Sequence, residues 1–196
     1  MHPNEPLIRR LNEYLPLEKV EMDFLRETIP VRDYQKGDLL LENGQVSEEF
    51  FFIISGCVRM FYTVEGEEKT AFFYTEDTFV SSYQSFIHQT PAQHSLQCIE
   101  PCQLALITQE VAMTILERFP KFETLTRMAM EEELATYQEI VASYIILTPL
   151  QRYVRLLDTR PDLVTRVSQR TLATFIGVTP ESLSRIRKRI RDRKNS

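Results

Sequence analysis

Apolar positions recur along this chain with two different periods, and the switch between them divides it. From Glu5 to Tyr14 and from Leu17 to Thr28 they keep the three-and-four spacing of amphipathic helices, with Pro16 between the two segments and Pro30 after the second. From Val31 the pattern shortens to β-type runs at Asp38–Leu41, Glu49–Ile54, Cys57–Thr63, Lys69–Tyr74 and Ser95–Ile107, punctuated by Gly37, Gly44, Gly56 and Gly66. Many short strands between glycine turns predict a sandwich or jelly roll. The helical period returns at Thr108–Phe119, and Pro120 opens a longer helix that runs to Leu147 before Pro149 stops it. Leu150, Val154 and Leu157, at i, i+4 and i+7, begin a last helical segment; a polar turn at Thr159–Asp162 and two short helices follow. The expected fold class is α+β: a β-roll or jelly roll with N-terminal helices over 1–119, a long helix over 120–148 and a small helical domain over 149–196.

The two short helices near the end are the most closely specified stretch. Ser168 can cap the first, Leu172 and Ile176 form its apolar i,i+4 pair, and Gly177 supplies the permissive backbone that ends it. Thr179 caps the second, Pro180 occupies the first helical position where its missing N–H costs nothing, and Glu181 meets the positive end of the helix dipole. At 100° per residue Leu183, Ile186 and Ile190 share one face of that helix, while Glu181, Arg185 and Lys188 fall on the other. One face is core and the other is free to touch a partner. Two helices about a tight turn, the second presenting polar side chains outward, form the helix-turn-helix that reads the DNA major groove. Arg185 is the candidate for a bidentate contact to guanine, and Glu181 for accepting from the cytosine amino group. Ser182, Ser184 and Lys188 can add base or phosphate contacts. Gln169, Arg170 and the helix N-termini, Thr179 included, would position the phosphate backbone.

Within the long helix Met130, Leu134, Tyr137, Val141 and Tyr144 are spaced four, three, four and three, the stripe of a helix that pairs with another helix. Ile140, Ile145 and Ile146 lie on other faces. The reading is a homodimer seam on one side and domain contacts on the other.

Charge supports this division. The net charge of −5 conceals twelve Lys or Arg against four acids from Leu150 to Ser196, or +8, and eleven against 24 from Met1 to Pro149, or −13. A basic end on an acidic body is the electrostatic footprint of phosphate binding joined to a sensor or partner domain. No apolar run approaches the ~18 residues that span a bilayer, and Arg9, Arg10 and Glu13 interrupt any signal-peptide core, so a cytoplasmic protein with no membrane partner is expected. Three cysteines, Cys57, Cys98 and Cys102, fit reduced thiols better than a disulfide framework. His94, Cys98 and Cys102 are four apart, but strand alternation and Pro101 should keep them from converging, so no metal and no cofactor are expected. With no Ser-His-acid order, no P-loop and only His2, His88 and His94 to act as a base, the chain does not read as an enzyme.

Lys36-Gly37-Asp38-Leu39-Leu40, Glu42-Asn43-Gly44-Gln45 and Phe51-Phe52-Ile53-Ile54-Ser55-Gly56-Cys57-Val58-Arg59 resemble the glycine framework of the cyclic-nucleotide-binding β-roll. With a helix-turn-helix behind them, the chain resembles the Crp/Fnr family of bacterial transcription regulators from about Val31 to Arg191. The resemblance implies double-stranded DNA and a second copy of the chain as partners, with RNA polymerase and an unidentified small-molecule effector as further candidates. Family members that take cyclic AMP clamp its phosphate with a Gly-Glu pair and an Arg-Ser or Arg-Thr pair. Here Ser81 and Ser82 replace the first and His94 the arginine, and no arginine lies between Arg59 and Arg118. Cyclic AMP is therefore not expected. A less anionic ligand would be lined by Ser81, Ser82, Tyr83, His94 and Ser95, with Tyr137 and Gln138 near the family's purine-reading positions. The alternative is that these are satisfied polar residues around a sealed core. Family members usually follow the recognition helix with a β-hairpin wing, whereas only Arg191–Ser196 follow Ile190 here. That keeps a rival open: a non-DNA-binding sensor or protein-interaction module with a degenerate helix-turn-helix.

Overall fold

The computed structural model describes residues 2–194. Two helices come first, α1 (Glu5–Tyr14) and α2 (Lys19–Thr28), followed by eight strands in two four-stranded antiparallel sheets. One sheet has the order β1-β8-β3-β6, with β1 (Val31–Tyr34), β3 (Glu49–Ser55), β6 (Phe79–Val80) and β8 (Cys102–Thr108). The other runs β2-β7-β4-β5, with β2 (Leu39–Leu41), β4 (Val58–Val64), β5 (Glu67–Tyr74) and β7 (Ser95–Cys98). A short helix, α3 (Tyr83–His88), interrupts the strands, and α4 (Gln109–Arg118) and α5 (Phe122–Ile146) follow them. Then come α6 (Pro149–Thr159), α7 (Pro161–Arg166), α8 (Gln169–Ile176) and α9 (Pro180–Lys194).

The first sheet is covered on both faces, which explains why its strands read as continuous apolar runs rather than alternating ones. In the β3–β8 register Phe52 opposes Ala105 and Phe50 opposes Ile107, and this face meets Leu7, Ile8, Leu25 and Ile29 of the N-terminal helices and Phe122 and Leu125 of α5. Phe51, Ile53, Leu104 and Leu106 alternate with them and are equally buried, at 2% exposure or less.

The structure departs from the sequence expectation in three ways. The single run Ser95–Ile107 is two strands in different sheets, because Pro101 cannot donate to a ladder and the chain turns at Ile99–Pro101. This turn brings Cys98 and Cys102 together, where strand alternation had placed them apart. The Cys98 thiol is held well above its ordinary pKa, first by its hydrogen bond with Cys102 and then by burial, and all three cysteines are buried outside any disulfide. The short elements β1, β6 and α3 carry too few residues to show a period. The expected turn at Thr159–Asp162 instead leads into α7, with Pro161 in its first turn, so four helices and not three follow α5.

The chain forms two compact units, residues 2–60 with 73–132, and residues 61–72 with 133–194. Both β4 and α5 run from the first unit into the second, and β5 runs from the second back into the first. Within the second unit α6 starts on a complete capping box: Gln151 N–H donates to Thr148 Oγ1 at 3.4 Å, and Thr148 N–H to Gln151 Oε1 at 2.9 Å. Thr148→Ala should cost about 1 kcal/mol of stability, read as a lowered urea midpoint at unchanged slope.

Candidate nucleic-acid interface

The helix-turn-helix is built almost entirely from local signals. The N–H of Thr171 donates to Ser168 Oγ at 3.1 Å, fixing the start of α8, and Leu172, Ala173 and Ile176 are buried at 1% exposure or less. Gly177 ends the helix in the left-handed region, φ +77°, with Val178 N–H donating to the Ala173 carbonyl. Two residues on, the Ser182 N–H donates to Thr179 Oγ1 at 3.2 Å and starts α9. Leu183 is wholly buried and Ile186 and Ile190 half-buried, while Glu181, Ser184, Arg185 and Lys188 are exposed.

These four side chains share the outward face of α9. Glu181 lies one turn before Arg185, and its carboxyl is held below the usual carboxylate range by its own backbone N–H first, then Thr179 and Arg185. Arg185 donates to Ser182 Oγ at 3.0 Å. The arginine is thus steered from its own helix while its guanidinium stays in solvent. The remaining expected contacts divide by role. Thr179 and Ser182 take part in the cap, and Gln169 donates across the turn to the Pro180 carbonyl at 3.2 Å. Arg170 is exposed at the start of α8. The surface of α9 adds exposed Arg187, Arg189 and Arg191.

Sequence reasoning missed what holds this pair of helices. Arg152 of α6 donates from Nε to the Ile176 carbonyl at 3.0 Å and from Nη1 to the Leu147 carbonyl at 2.7 Å, with its guanidinium 4.7 Å over the Tyr144 ring. One side chain satisfies the carbonyl ends of α5 and α8. The end of the β4–β5 hairpin is in the same unit. Thr174 Oγ1 of α8 donates to Thr70 Oγ1 at 3.0 Å and accepts from Thr70 N–H at 3.3 Å, and Phe72 lies 5.0 Å from the Tyr137 ring. No local pattern announces partners 24 to 104 residues away.

The seam residues are distributed differently among themselves. Leu134 and Val141 are 56% and 58% exposed, and Ile145, from the neighbouring stripe, 78%. Tyr137 faces Phe72, Tyr144 donates its hydroxyl to the Phe175 carbonyl, and Met130 lines a cavity in the first unit.

The seven residues expected around a ligand lie in both units. In the first, Ser81, Ser82 and Ser95 are buried, and the Ser95 hydroxyl accepts from Asn43 N–H at 3.0 Å. Tyr83 is half exposed and belongs to an apolar cavity. In the second, Tyr137 is half-buried and Gln138 exposed. Burial lowers the pKa of the His94 imidazole in the fold below its ordinary value. The unfolded chain takes up that proton below about pH 6.5, so stability falls as pH drops through that value. His94→Gln should flatten the decline in urea midpoint between about pH 7.5 and 5.5. Among the described residues no cluster of His, Cys, Asp or Glu could hold a metal, and no helix is long and apolar enough to cross a membrane.

Residues 31–119 match the family described as the cyclic nucleotide-binding domain. No curated protein matches the chain in sequence. Among solved structures, the c-di-GMP responsive global regulator CLP of Xanthomonas campestris is similar with a TM-score of 0.73 and 17% identity, over 90% of this chain and 93% of that one. A mutant of CooA from Carboxydothermus hydrogenoformans gives 0.70 and 16%, over 93% and 84%. The catabolite activator protein of Thermus thermophilus gives 0.56 and 18%, over 94% and 88%. The fold is that of the Crp/Fnr regulators: a β-roll, a long helix and a helical domain with a helix-turn-helix.

Proposed function

We propose that this chain of Crp/Fnr fold is a sequence-specific DNA-binding transcription regulator that works in the cytoplasm as a homodimer, with a sensor domain that does not take cyclic AMP. The carrying observation is the outward face of α9, where Glu181, Ser184, Arg185 and Lys188 stand exposed on a helix fixed by a cap, a buried Leu183 and the Gly177 turn. Two such helices would enter successive major grooves about 34 Å apart on a two-fold symmetric site. Arg185 reads guanine and Glu181 the cytosine amino group, while Lys188, Arg170 and the exposed arginines of α9 draw in phosphate. Thr70 and Phe72 offer a route from sensor to reader, because the hairpin that carries them begins in the β-roll and ends on α8 and α5. The DNA-bound dimer would then present itself to RNA polymerase.

Selection of duplexes from a random pool by the purified protein should enrich a two-fold symmetric sequence. On that duplex Arg185→Ala should weaken binding by about 10- to 100-fold and relax the preference at one base pair in each half-site. No enrichment, together with no loss of affinity as salt rises, would favour a sensor or interaction module that does not bind DNA.

A further inference from the structure

The first unit contains a cavity of about 170 Å³ that none of its polar residues explains. Its walls come from α1, α2, the sheet strands β3, β6 and β8, and α3, α4 and α5, among them Leu25, Phe79, Ile107, Ile115 and Leu125. Leu25, Ile107, Ile115 and Leu125 are at least nine-tenths buried, so the pocket reaches into the core of the unit while staying partly open to solvent. It opens beside α3, whose Tyr83 and Ile87, one turn apart, line it while remaining 49% and 47% exposed. α3 is held in place by Ser85, whose Oγ accepts from Ser47 N–H at 2.8 Å, and by buried Phe86, which also lines the space.

The chemistry of the lining selects the occupant. No Lys, Arg, His, Asp or Glu borders the space. Its only side-chain hydroxyls are those of Tyr83, at the half-exposed rim, and Thr126, which donates to the Phe122 carbonyl at 2.9 Å. An anion would lose its hydration with no counter-charge, and water would find few partners. An apolar cavity of about 150 Å³ is known to stay dry and take benzene, so this volume holds a single ring with short substituents.

We propose that this cavity binds a small, uncharged, apolar molecule of the size and character of an alkylated aromatic ring. Leu125, Ala129 and Met130 line it from the first turns of α5, so the occupant touches that helix directly. Transmission of that contact to DNA binding rests on the regulator reading above; binding itself does not.

Toluene, added to the full-length protein and followed by thermal unfolding and by chemical shifts of methyl groups, tests the site without DNA. The expected result is a saturable rise in Tm, with shifts concentrated on Ile115 and Leu125. Benzoate, equal in shape but charged, should bind at least tenfold more weakly. Ala112→Leu and Ala129→Phe fill the space from two sides, and each should lose at least tenfold in toluene affinity while unfolding no lower than the parent. Tyr83→Phe should retain binding. Absence of saturable toluene binding, equal affinity for benzoate, or undiminished binding by both filled variants would overturn the proposal. If neither filled variant folds, the methyl shifts of the parent decide: shifts confined to residues outside the cavity overturn it.

Discussion

Gly56→Ala is expected to remove about 4 kcal/mol or more of stability, a large share of the roughly 5–15 kcal/mol that holds a domain of this size folded. Gly56 sits at φ +101°, a region that costs an L-residue on the order of 1–3 kcal/mol before any contact is counted. A Cβ there would also lie 2.5 Å from Cys102 Sγ, 2.6 Å from the Pro101 carbonyl oxygen and 2.8 Å from Cys102 Cα. Two of these three atoms are backbone, and they belong to the corner where the chain leaves one sheet for the other. Relief would require moving β8, which is paired with both β1 and β3. Gly66 is the matched control: its φ is +80°, with nothing within 4 Å of an added Cβ. Gly66→Ala should cost only the backbone term, about 1 kcal/mol. Urea unfolding of the two variants side by side checks this, and a Gly56→Ala midpoint within experimental error of Gly66→Ala would show that the corner yields.

The contrast between these glycines also shows what could be read without coordinates. Both announce turns, but only the structure shows that one turn is pressed against Cys102 and the other is open. The helix-turn-helix was legible because Ser168, Gly177, Thr179 and Pro180 act through bonds three or four residues long. The run FFFII was legible as strand for the same reason, since burial on both faces leaves a continuous apolar stretch. Arg152 was not legible: the carbonyl it caps on α8 is 24 residues away, and an arginine inside an amphipathic helix looks like solvated surface. Nor was the cavity. Matching Ser81, Ser82, Tyr83, His94 and Ser95 to a polar ligand lining directed attention to polar positions, whereas the open volume is bordered mainly by apolar residues from eight elements, and of those five only Tyr83 lines it. A period along one helix likewise names a stripe without its partner. Tyr137 and Tyr144 fit the heptad, yet Phe72 and the Phe175 carbonyl occupy them.

That redistribution sharpens the largest expected effect on function. If α5 forms the dimer, the stripe that does so is Leu134, Val141 and Ile145, seven and four residues apart and all more than half exposed. In a two-fold interface each side chain is buried twice, and each burial contributes on the order of 1.5–3 kcal/mol. The double substitution Leu134→Glu with Val141→Glu removes four such burials and sets four carboxylates against one another along the seam. The expected result is a monomer at micromolar concentration in sedimentation, with helix content unchanged because both positions face solvent. Affinity for a symmetric duplex should fall by at least about 100-fold, since two half-sites no longer bind as one event, while the salt dependence of what remains should fall to about half, because each reader neutralises only its own phosphates. Tyr144→Phe, which removes the hydroxyl bond to the Phe175 carbonyl but leaves the stripe intact, should remain dimeric. A dimer that survives both glutamates would move the interface off this face of α5, and a duplex affinity that survives monomerisation would mean that one copy of α9 reads DNA unaided.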